Sequence, residues 1–566
     1  MGGNALSTEN QLPNHVMKTL WLPVLLGGLL LALTVLVYWP GMQAGFYFDD
    51  LINIVEVPAL HWNELSVGAL WQASDETLLR GRPLSNLSFA LNHLYGGLEP
   101  AGYHWVNLII HLLVGMALIW VAVLFAGAGE RRPTTLEKKL FFAILATSLF
   151  LLHPLNIQAV TYVVQRMTSL ATLFTLLSFG CYLTARLRED VRTAFWFCLS
   201  LICFLLALGN KEIAVLLPVV LVLFEVCYYP TYWHARLIPV VQRVGLARLL
   251  LLGLVVIALV AVGVSQLYYS SNLIRWNELF IGREFSGVQR VLTETRVQFF
   301  YLSLLIWPDP SRLNLEHDFV ISASLFEPWA TALAVMGCLS LLVIIIWLCR
   351  RSPRYGFPLL GYVVFHLLES GPINLELVFE HRMYLPMTFL VLLLTNVLVD
   401  FVRVGRWLVL VPLSVLLVPL SAATYARNKV WAEPLVFLRD CATKAPNKFR
   451  PWYNLGTELG ISGDYIGAEP VLLHAIKIEP EHSLVRNQLG NVYLMMKRQA
   501  DAYQQYRYAV QFDPTNYEAV FNLALQHYIR GERSEAAGLF QQFITDAPAD
   551  FDGPRQQAQF YLQRLQ

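Results

Sequence analysis

Leu20-Trp-Leu-Pro-Val-Leu-Leu-Gly-Gly-Leu-Leu-Leu-Ala-Leu-Thr-Val-Leu-Val-Tyr-Trp39 is an unbroken apolar run without a single charge. A helix rises about 1.5 Å per residue, so a run of this length covers the ~30 Å hydrocarbon core of a bilayer. It is long for a signal-peptide core and lacks a small-residue cleavage site before the acids that follow, so it is expected to stay as a membrane helix. The rest of the chain agrees. Its 566 residues are 56% hydrophobic and only 14% charged, with mean hydropathy +0.50, outside the range of soluble globular proteins. The net charge of +1, and the lack of a long basic run or finger-like Cys/His spacing, argue against a nucleic-acid partner. Cys181, Cys198, Cys203, Cys227, Cys338 and Cys349 lie in or beside apolar segments and read as small hydrophobes, which leaves no disulfide framework.

Further apolar spans are expected at His104–Phe125, Leu140–Leu152, Val163–Ala185, Thr193–Leu208, Ile213–Tyr229, Leu249–Tyr269, Pro328–Leu348, Tyr355–Leu368, Tyr384–Val402 and Trp407–Ala423. Basic residues fall in alternate loops: Arg131, Arg132, Lys138 and Lys139; Arg186, Arg188 and Arg192; Arg236, Arg243 and Arg248; Arg350, Arg351 and Arg354; then Arg403 and Arg406. Those loops are expected to be cytoplasmic. If the apolar piece Val297–Trp307 is re-entrant or interfacial, the chain crosses about 11 times. The N-terminus is then inside, and the first loop 41–103 and the C-terminal region are outside.

The last 130 residues or so change character. Pro446, Pro480, Pro514 and Pro548 recur every 34 residues, the tetratricopeptide (TPR) period. In register with them stand Leu455, Leu489 and Leu523; Gly456, Gly490 and Ala524; Ala468, Ala502 and Ala536; and Leu472, Tyr506 and Phe540. Small residues let paired helices approach closely, and each proline stops a helix. The expected fold is therefore all-α, a polytopic membrane helix bundle at 1–430 followed by a TPR α-solenoid at 431–550, a half-unit plus three repeats. A polar capping helix is expected at 551–566.

Polar landmarks crowd the outer loops. Asp49 and Asp50 stand in Gly45-Phe-Tyr-Phe-Asp-Asp-Leu-Ile-Asn-Ile54, where acids at a bilayer edge suggest chemistry and a helix cap after Pro40 and Gly41 is the plainer alternative. Arg80-Gly-Arg-Pro-Leu-Ser-Asn86 offers Arg82 for bidentate phosphate binding, or for snorkelling to the headgroups. His153-Pro-Leu-Asn-Ile-Gln158 leads into Gln158, Tyr162 and Arg166, spaced four apart and so expected on one helical face, toward an anionic ligand or another helix. Gly209-Asn-Lys-Glu-Ile213 presents Lys211 and Glu212, which either pair with each other or leave the lysine for a phosphate oxygen. Phe379-Glu-His-Arg-Met-Tyr-Leu-Pro386 packs Glu380, His381 and Arg382 at another outer entrance. The sequence contains no Walker loop, Gly-x-Ser-x-Gly elbow or His-x-x-x-His zinc helix.

In this order, Phe-Asp-Asp at 48–50, Arg-Pro-Leu at 82–84, His-Pro-Leu at 153–155, Asn-Lys-Glu at 210–212, Glu-His-Arg-Met-Tyr-Leu-Pro at 380–386 and the C-terminal repeats resemble the transmembrane and TPR repeat-containing glycosyltransferases. These form a branch of the GT-C superfamily that includes eukaryotic protein O-mannosyltransferases and their bacterial relatives. The resemblance runs nearly the whole length, although the repeat array is shorter than in the animal members. It implies a polyprenyl-phosphate- or polyprenyl-diphosphate-linked sugar donor, transfer with inversion to Ser or Thr of an exported, pilin-like or other, protein, and an acid of the first external loop as general base.

Carried onto this sequence, the resemblance makes Asp49 the favoured base. Asp50 orients the acceptor, supports the fold or takes a divalent metal such as Mg or Mn. Arg82, Arg166, Lys211 and Arg382 would face the donor phosphate, with Arg80, His153, Tyr162, Glu212, Glu380 and His381 in support. The expected partners are the lipid-linked donor, membrane lipid and a protein acceptor held in part by the TPR domain. The expected location is a bacterial inner membrane, with the active site and TPR domain periplasmic. A non-enzymatic polytopic TPR scaffold for envelope assembly or secretion is the alternative, and it leaves the charged outer loops unexplained.

Overall fold

The computed structural model describes residues 14–75, 77, 79, 81–128, 135–188, 191–230, 280, 283–371, 373–401, 406–548 and 551–565. Among them every regular element is helical, and the β-type pairing is confined to an isolated bridge between Ser324 and Glu327. The chain divides into two compact units, one from Met1–Leu315 and Phe319–Ala432, the other from Glu316–Asp318 and Glu433–Gln566.

In the first unit, five helices among the described residues are long and apolar enough to cross a membrane: Trp21–Gln43, Pro100–Gly127, Val163–Leu187, Ala330–Arg351 and Glu380–Asp400. Leu136–Leu151 and Pro154–Val160 make a sixth if taken together across their 59° bend. The bend falls at His153-Pro154, where proline can start a helix but cannot continue the one before it. Thr193–Leu208 is a shorter apolar helix, and Pro353–His366 begins with a proline at its first position, where a missing N–H costs nothing. The Ala330–Arg351 helix shows what faces lipid: Met336, Leu339, Val343 and Trp347 are exposed, while Thr331, Ala334 and Ile345 are buried. Apolar side chains turned outward with every backbone group bonded inside the helix suit a hydrocarbon solvent.

The piece Val297–Trp307 is helical up to Ile306, with Trp307 as its C-cap. It is the second half of the helix Gly287–Ile306, which starts at a capping box: Gln289 N–H donates to Ser286 Oγ at 3.3 Å and Ser286 N–H to Gln289 Oε1 at 2.9 Å. The expected span Leu249–Tyr269 and the basic residues Arg131, Arg132, Arg236, Arg243, Arg248 and Arg403 lie outside the described residues.

The second unit is a run of antiparallel helix pairs, Phe449–Ile461 with Tyr465–Ile478, Ser483–Met495 with Gln499–Phe512, and Tyr517–Ile529 with Arg533–Asp546, preceded by Pro434–Lys444 and followed by Asp552–Leu565. A small residue on each first helix meets a large one on its partner. A Cβ on Gly456 would stand 2.5 Å from Leu472 Cδ2, and one on Gly490 would stand 2.5 Å from Tyr506 Cε1. In the third pair Ala524 shares a core with Phe540, to which the last helix adds Ala558. The 34-residue spacing thus repeats one contact, a close crossing of two helices set by a residue with little or no side chain.

Candidate active site

The acid pair sits on a loop fastened to its surroundings at almost every third residue. Ala44 O is held by His104 Nε2 at 2.9 Å, and Tyr47 donates its hydroxyl to Trp431 O at 2.8 Å. Phe48 then adopts φ +46°, the left-handed region that a bulky side chain disfavours. Backbone strain of this kind persists only where surrounding contacts over-determine it, and it clusters at functional sites. Directly after the acids comes a short π-helix, Leu51–Val55, another feature enriched at such sites.

The two acids differ in what they do. Asp50 is fully buried and each of its carboxylate oxygens accepts a peptide N–H, Oδ1 from Val164 at 2.7 Å and Oδ2 from Tyr47 at 3.1 Å. Burial pushes its carboxyl up to about 8, and the two N–H donors oppose that rise. Asp49 is only partly buried. Its backbone N–H donates to the Tyr162 hydroxyl at 2.8 Å, and its carbonyl accepts from Asn53 Nδ2 at 2.8 Å. Asp49 is thus the less buried of the two acids, and Asp50 the one bonded into the loop.

A divalent cation does not fit at Asp50. Both oxygens already face N–H donors, and no group of three or more His, Cys, Asp or Glu that could hold a metal occurs among the described residues.

The expected single face of Gln158, Tyr162 and Arg166 is broken up. The segment is a short helix Ile157–Val160, a 3₁₀ turn Val163–Gln165 and then the helix Arg166–Leu187. Gln158 therefore turns to Asn314 O and His381, Tyr162 to Asp49, and Arg166 to Asn107. Arg166 is fully buried. It donates to Asn107 Oδ1 at 2.6 Å, Ser88 O at 3.0 Å and Tyr103 O at 3.0 Å, with its guanidinium 4.7 Å from the centre of the Phe89 ring. That arrangement makes it a bolt between helices, and nothing in it is turned toward an external phosphate.

The other three cations come together. Arg82, Lys211 and Arg382 all lie within electrostatic range of His381. Lys211 and Glu212, adjacent in sequence, do not pair with each other. Lys211 Nζ lies 2.7 Å from Glu369 Oε1 and donates to Thr168 Oγ1 at 3.1 Å, whereas Glu212 receives Arg82 through two bonds of 2.9 and 3.0 Å. Arg382 donates to Leu377 O at 3.0 Å and lies 3.7 Å from Glu294, which also meets Arg290 at 3.1 Å. Burial draws the Lys211 ammonium below its ordinary value and Glu369 opposes that drop. Burial likewise favours neutral Glu369, yet Lys211 and Arg382 hold its carboxyl below the usual range.

One stretch of chain joins the two groups. Tyr162 bonds Asp49, Val164 bonds Asp50, Met167 Sδ is 2.6 Å from Arg82 Nη1, and Thr168 accepts from Lys211. Residues 162–168 are thus a wall with acids on one part and cations on the other. Among the supporting residues, His153 caps the Pro154 turn and meets Leu305 O at 3.0 Å, Glu380 accepts from Asn314 N–H at 2.6 Å, and His381 stacks on Phe379. Arg80 lies outside the described residues. Asn86, which opens the N-glycosylation sequon Asn86-Leu87-Ser88, is fully buried and donates to Thr77 Oγ1 at 2.7 Å, so a folded chain does not offer it for modification.

No protein-family model matches the chain. Protein O-mannosyl-transferase TMTC3 of Homo sapiens is 24% identical over 583 residues, covering 90% of this chain and 59% of that protein. The chain is similar to the TMTC protein O-mannosyl-transferases. Human TMTC4 is 30% identical over 36% of this chain and 29% of its own length, and human TMTC2 is 28% identical over 43% and 29%. The chain spans less than two thirds of the length of these curated relatives. A solved structure of MamA protein matches 23% of this chain at 17% identity, with a TM-score of 0.20 that is too low to bear on the fold.

This TMTC-like chain also holds site residues that sequence reading passes over. Glu369, Glu294, Arg290 and Thr168 are buried among the predicted cations. Arg290 gathers the carbonyls of Glu369, Gly371, Leu375 and Glu376 and so holds the loop that carries Glu369. Buried charged residues that need such partners were detectable only as isolated Glu and Arg letters near apolar spans.

Proposed function

We propose that the chain is a membrane glycosyltransferase that moves a sugar from a polyprenyl-phosphate carrier to a Ser or Thr hydroxyl of an exported protein. The observation that carries this reading is the contrast within the acid pair: Asp50 is buried on two peptide N–H groups while Asp49, beside the strained Phe48, is only partly buried. An alcohol is a weak nucleophile until a positioned carboxylate takes its proton. In the proposed step the acceptor oxygen bonds to the anomeric carbon as its proton passes to Asp49. The carbon–oxygen bond to the phosphate breaks, its electron pair leaves with the phosphate, and the anomeric centre inverts.

Arg82, Lys211 and Arg382 stabilise the leaving phosphate in this scheme, and Arg166 is dropped from that role because its donors are committed to the helix framework. Each of the three cations already lies beside a carboxylate, Glu294 being shared between Arg382 and Arg290. The TPR unit is proposed to hold the acceptor, and a bacterial inner membrane with the acids on the periplasmic side is the proposed location. A scaffold function has no use for a strained acid loop.

The test is transfer by the purified full chain in bilayers, using polyprenyl-phosphate mannose and a Ser/Thr-rich acceptor, read by intact mass. The reading expects a hexose adduct from the lipid donor and none from a nucleotide sugar. Transfer from the nucleotide sugar alone contradicts it.

A further inference from the structure

Asn428, near the C-terminal end of the helix Arg406–Ala432, is buried among residues that the proposed reaction leaves unexplained. Its side chain is fully used. Oδ1 accepts the Thr161 hydroxyl at 2.7 Å, while Nδ2 donates to Val37 O at 3.2 Å and to the Thr424 carbonyl of its own helix at 3.0 Å. Val37 lies in the last turn of the helix Asn14–Tyr38, and Thr161 directly precedes Tyr162, whose hydroxyl holds Asp49. Gly41 closes against the same amide: a Cβ there would stand 2.6 Å from Asn428 Oδ1 and 3.1 Å from Thr161.

One turn later the same helix meets the acid loop again. Trp431 O accepts the Tyr47 hydroxyl at 2.8 Å, and the Trp431 ring lies 5.9 Å from the Tyr47 ring and 6.0 Å from the Tyr162 ring. Tyr47 in turn donates its N–H to Asp50 Oδ2. The start of the acid loop, its middle and the wall it leans on are therefore all fixed to a single helical turn.

We infer that Asn428 is a positioning residue for the acid pair, setting the distance between the loop bearing Asp49 and the wall at residues 162–168. This rests on the proposed glycosyl transfer, in which Asp49 must meet an acceptor hydroxyl at hydrogen-bond range. Catalytic geometry is sensitive on this scale, a displacement of about 1 Å costing up to ~100-fold in rate. The amide suits the position because it accepts from one segment and donates to two others at once, which neither a hydroxyl nor a carboxylate can do.

Three full-chain variants in bilayers test this: Asn428→Ala, Asn428→Asp and Tyr47→Phe, the last removing the hydroxyl that bonds Trp431 O. Two readouts are taken, steady-state transfer and amide hydrogen exchange over residues 41–51. The expected result is faster exchange in all three, with kcat per folded molecule down about 10- to 100-fold and the donor KM changed less than about twofold. A role in stability alone predicts a lower yield of folded chain with wild-type kcat in what remains, and that result overturns the inference. So does unchanged exchange over 41–51. If the wild-type chain transfers no sugar, the functional reading fails, and the exchange readout still decides whether Asn428 sets the loop.

Discussion

Val164 N–H donates to Asp50 Oδ1 at 2.7 Å, tying the second acid of the pair to a segment 114 residues away in sequence. With the Tyr47 N–H on the other oxygen, this makes Asp50 a brace inside the loop that presents Asp49.

Removing that brace should show in stability before it shows in chemistry. Asp50→Ala leaves two buried N–H groups without acceptors, each costing about 1–3 kcal/mol. Asp49→Ala removes a partly exposed side chain whose backbone bonds persist. Thermal unfolding of the two variants in the same detergent should place Asp50→Ala well below both wild type and Asp49→Ala.

The protonation of Asp50 gives stability a pH dependence of defined sign. Its carboxyl titrates near 8 in the folded chain, above the ordinary 3.8, so between those values the native state holds a proton that the unfolded state has lost. Asp50 therefore contributes stability that is fully present below about pH 4 and is lost as pH rises through about 8. The difference in unfolding temperature between wild type and Asp50→Asn should shift across that window, with wild type losing ground as pH rises. A constant difference contradicts the assignment.

Lys211 and Glu369 are 7% and 8% exposed at 2.7 Å, so neither can lose its partner cheaply. Lys211→Met strands a buried carboxylate, at a cost of about 3–5 kcal/mol. The double variant Lys211→Met with Glu369→Leu should recover most of that loss in a thermal melt, while glycosyl transfer stays abolished in both. Recovery of transfer would remove Lys211 from the donor site.

In the repeat unit, Gly490→Ala drives a methyl to 2.5 Å from Tyr506 Cε1, whereas Gly538 has nothing within 4 Å of its Cβ position. Overpacking of this kind costs about 1–3 kcal/mol. Exchange measurements on the full chain should find helices 483–495 and 499–512 less protected in Gly490→Ala and unchanged in Gly538→Ala.

What could be read from the sequence follows from the range of the forces involved. Apolar runs and the 34-residue spacing are local and repeated, so the membrane helices and the paired C-terminal helices were legible from residues such as Leu30, Gly490 and Tyr506. Periodicity misled at Gln158, Tyr162 and Arg166, because the chain leaves the helix after Val160 and each side chain finds a different partner. Glu369, Arg290 and Asn428 carried no local signal. Their importance lies in bonds to distant segments, as with Tyr47 and Trp431, separated by 384 residues. The pairing of Lys211 with Glu369, and not with adjacent Glu212, is likewise decided by packing.

The central claim is that Asp49 is the base. It is tested most directly by comparing Asp49→Asn with wild type at matched folded amounts, reading the acceptor's hexose adduct by intact mass. Loss of positioned proton transfer should lower the rate by about 10²-fold or more, with the unfolding temperature unchanged. Wild-type transfer by Asp49→Asn would contradict the account.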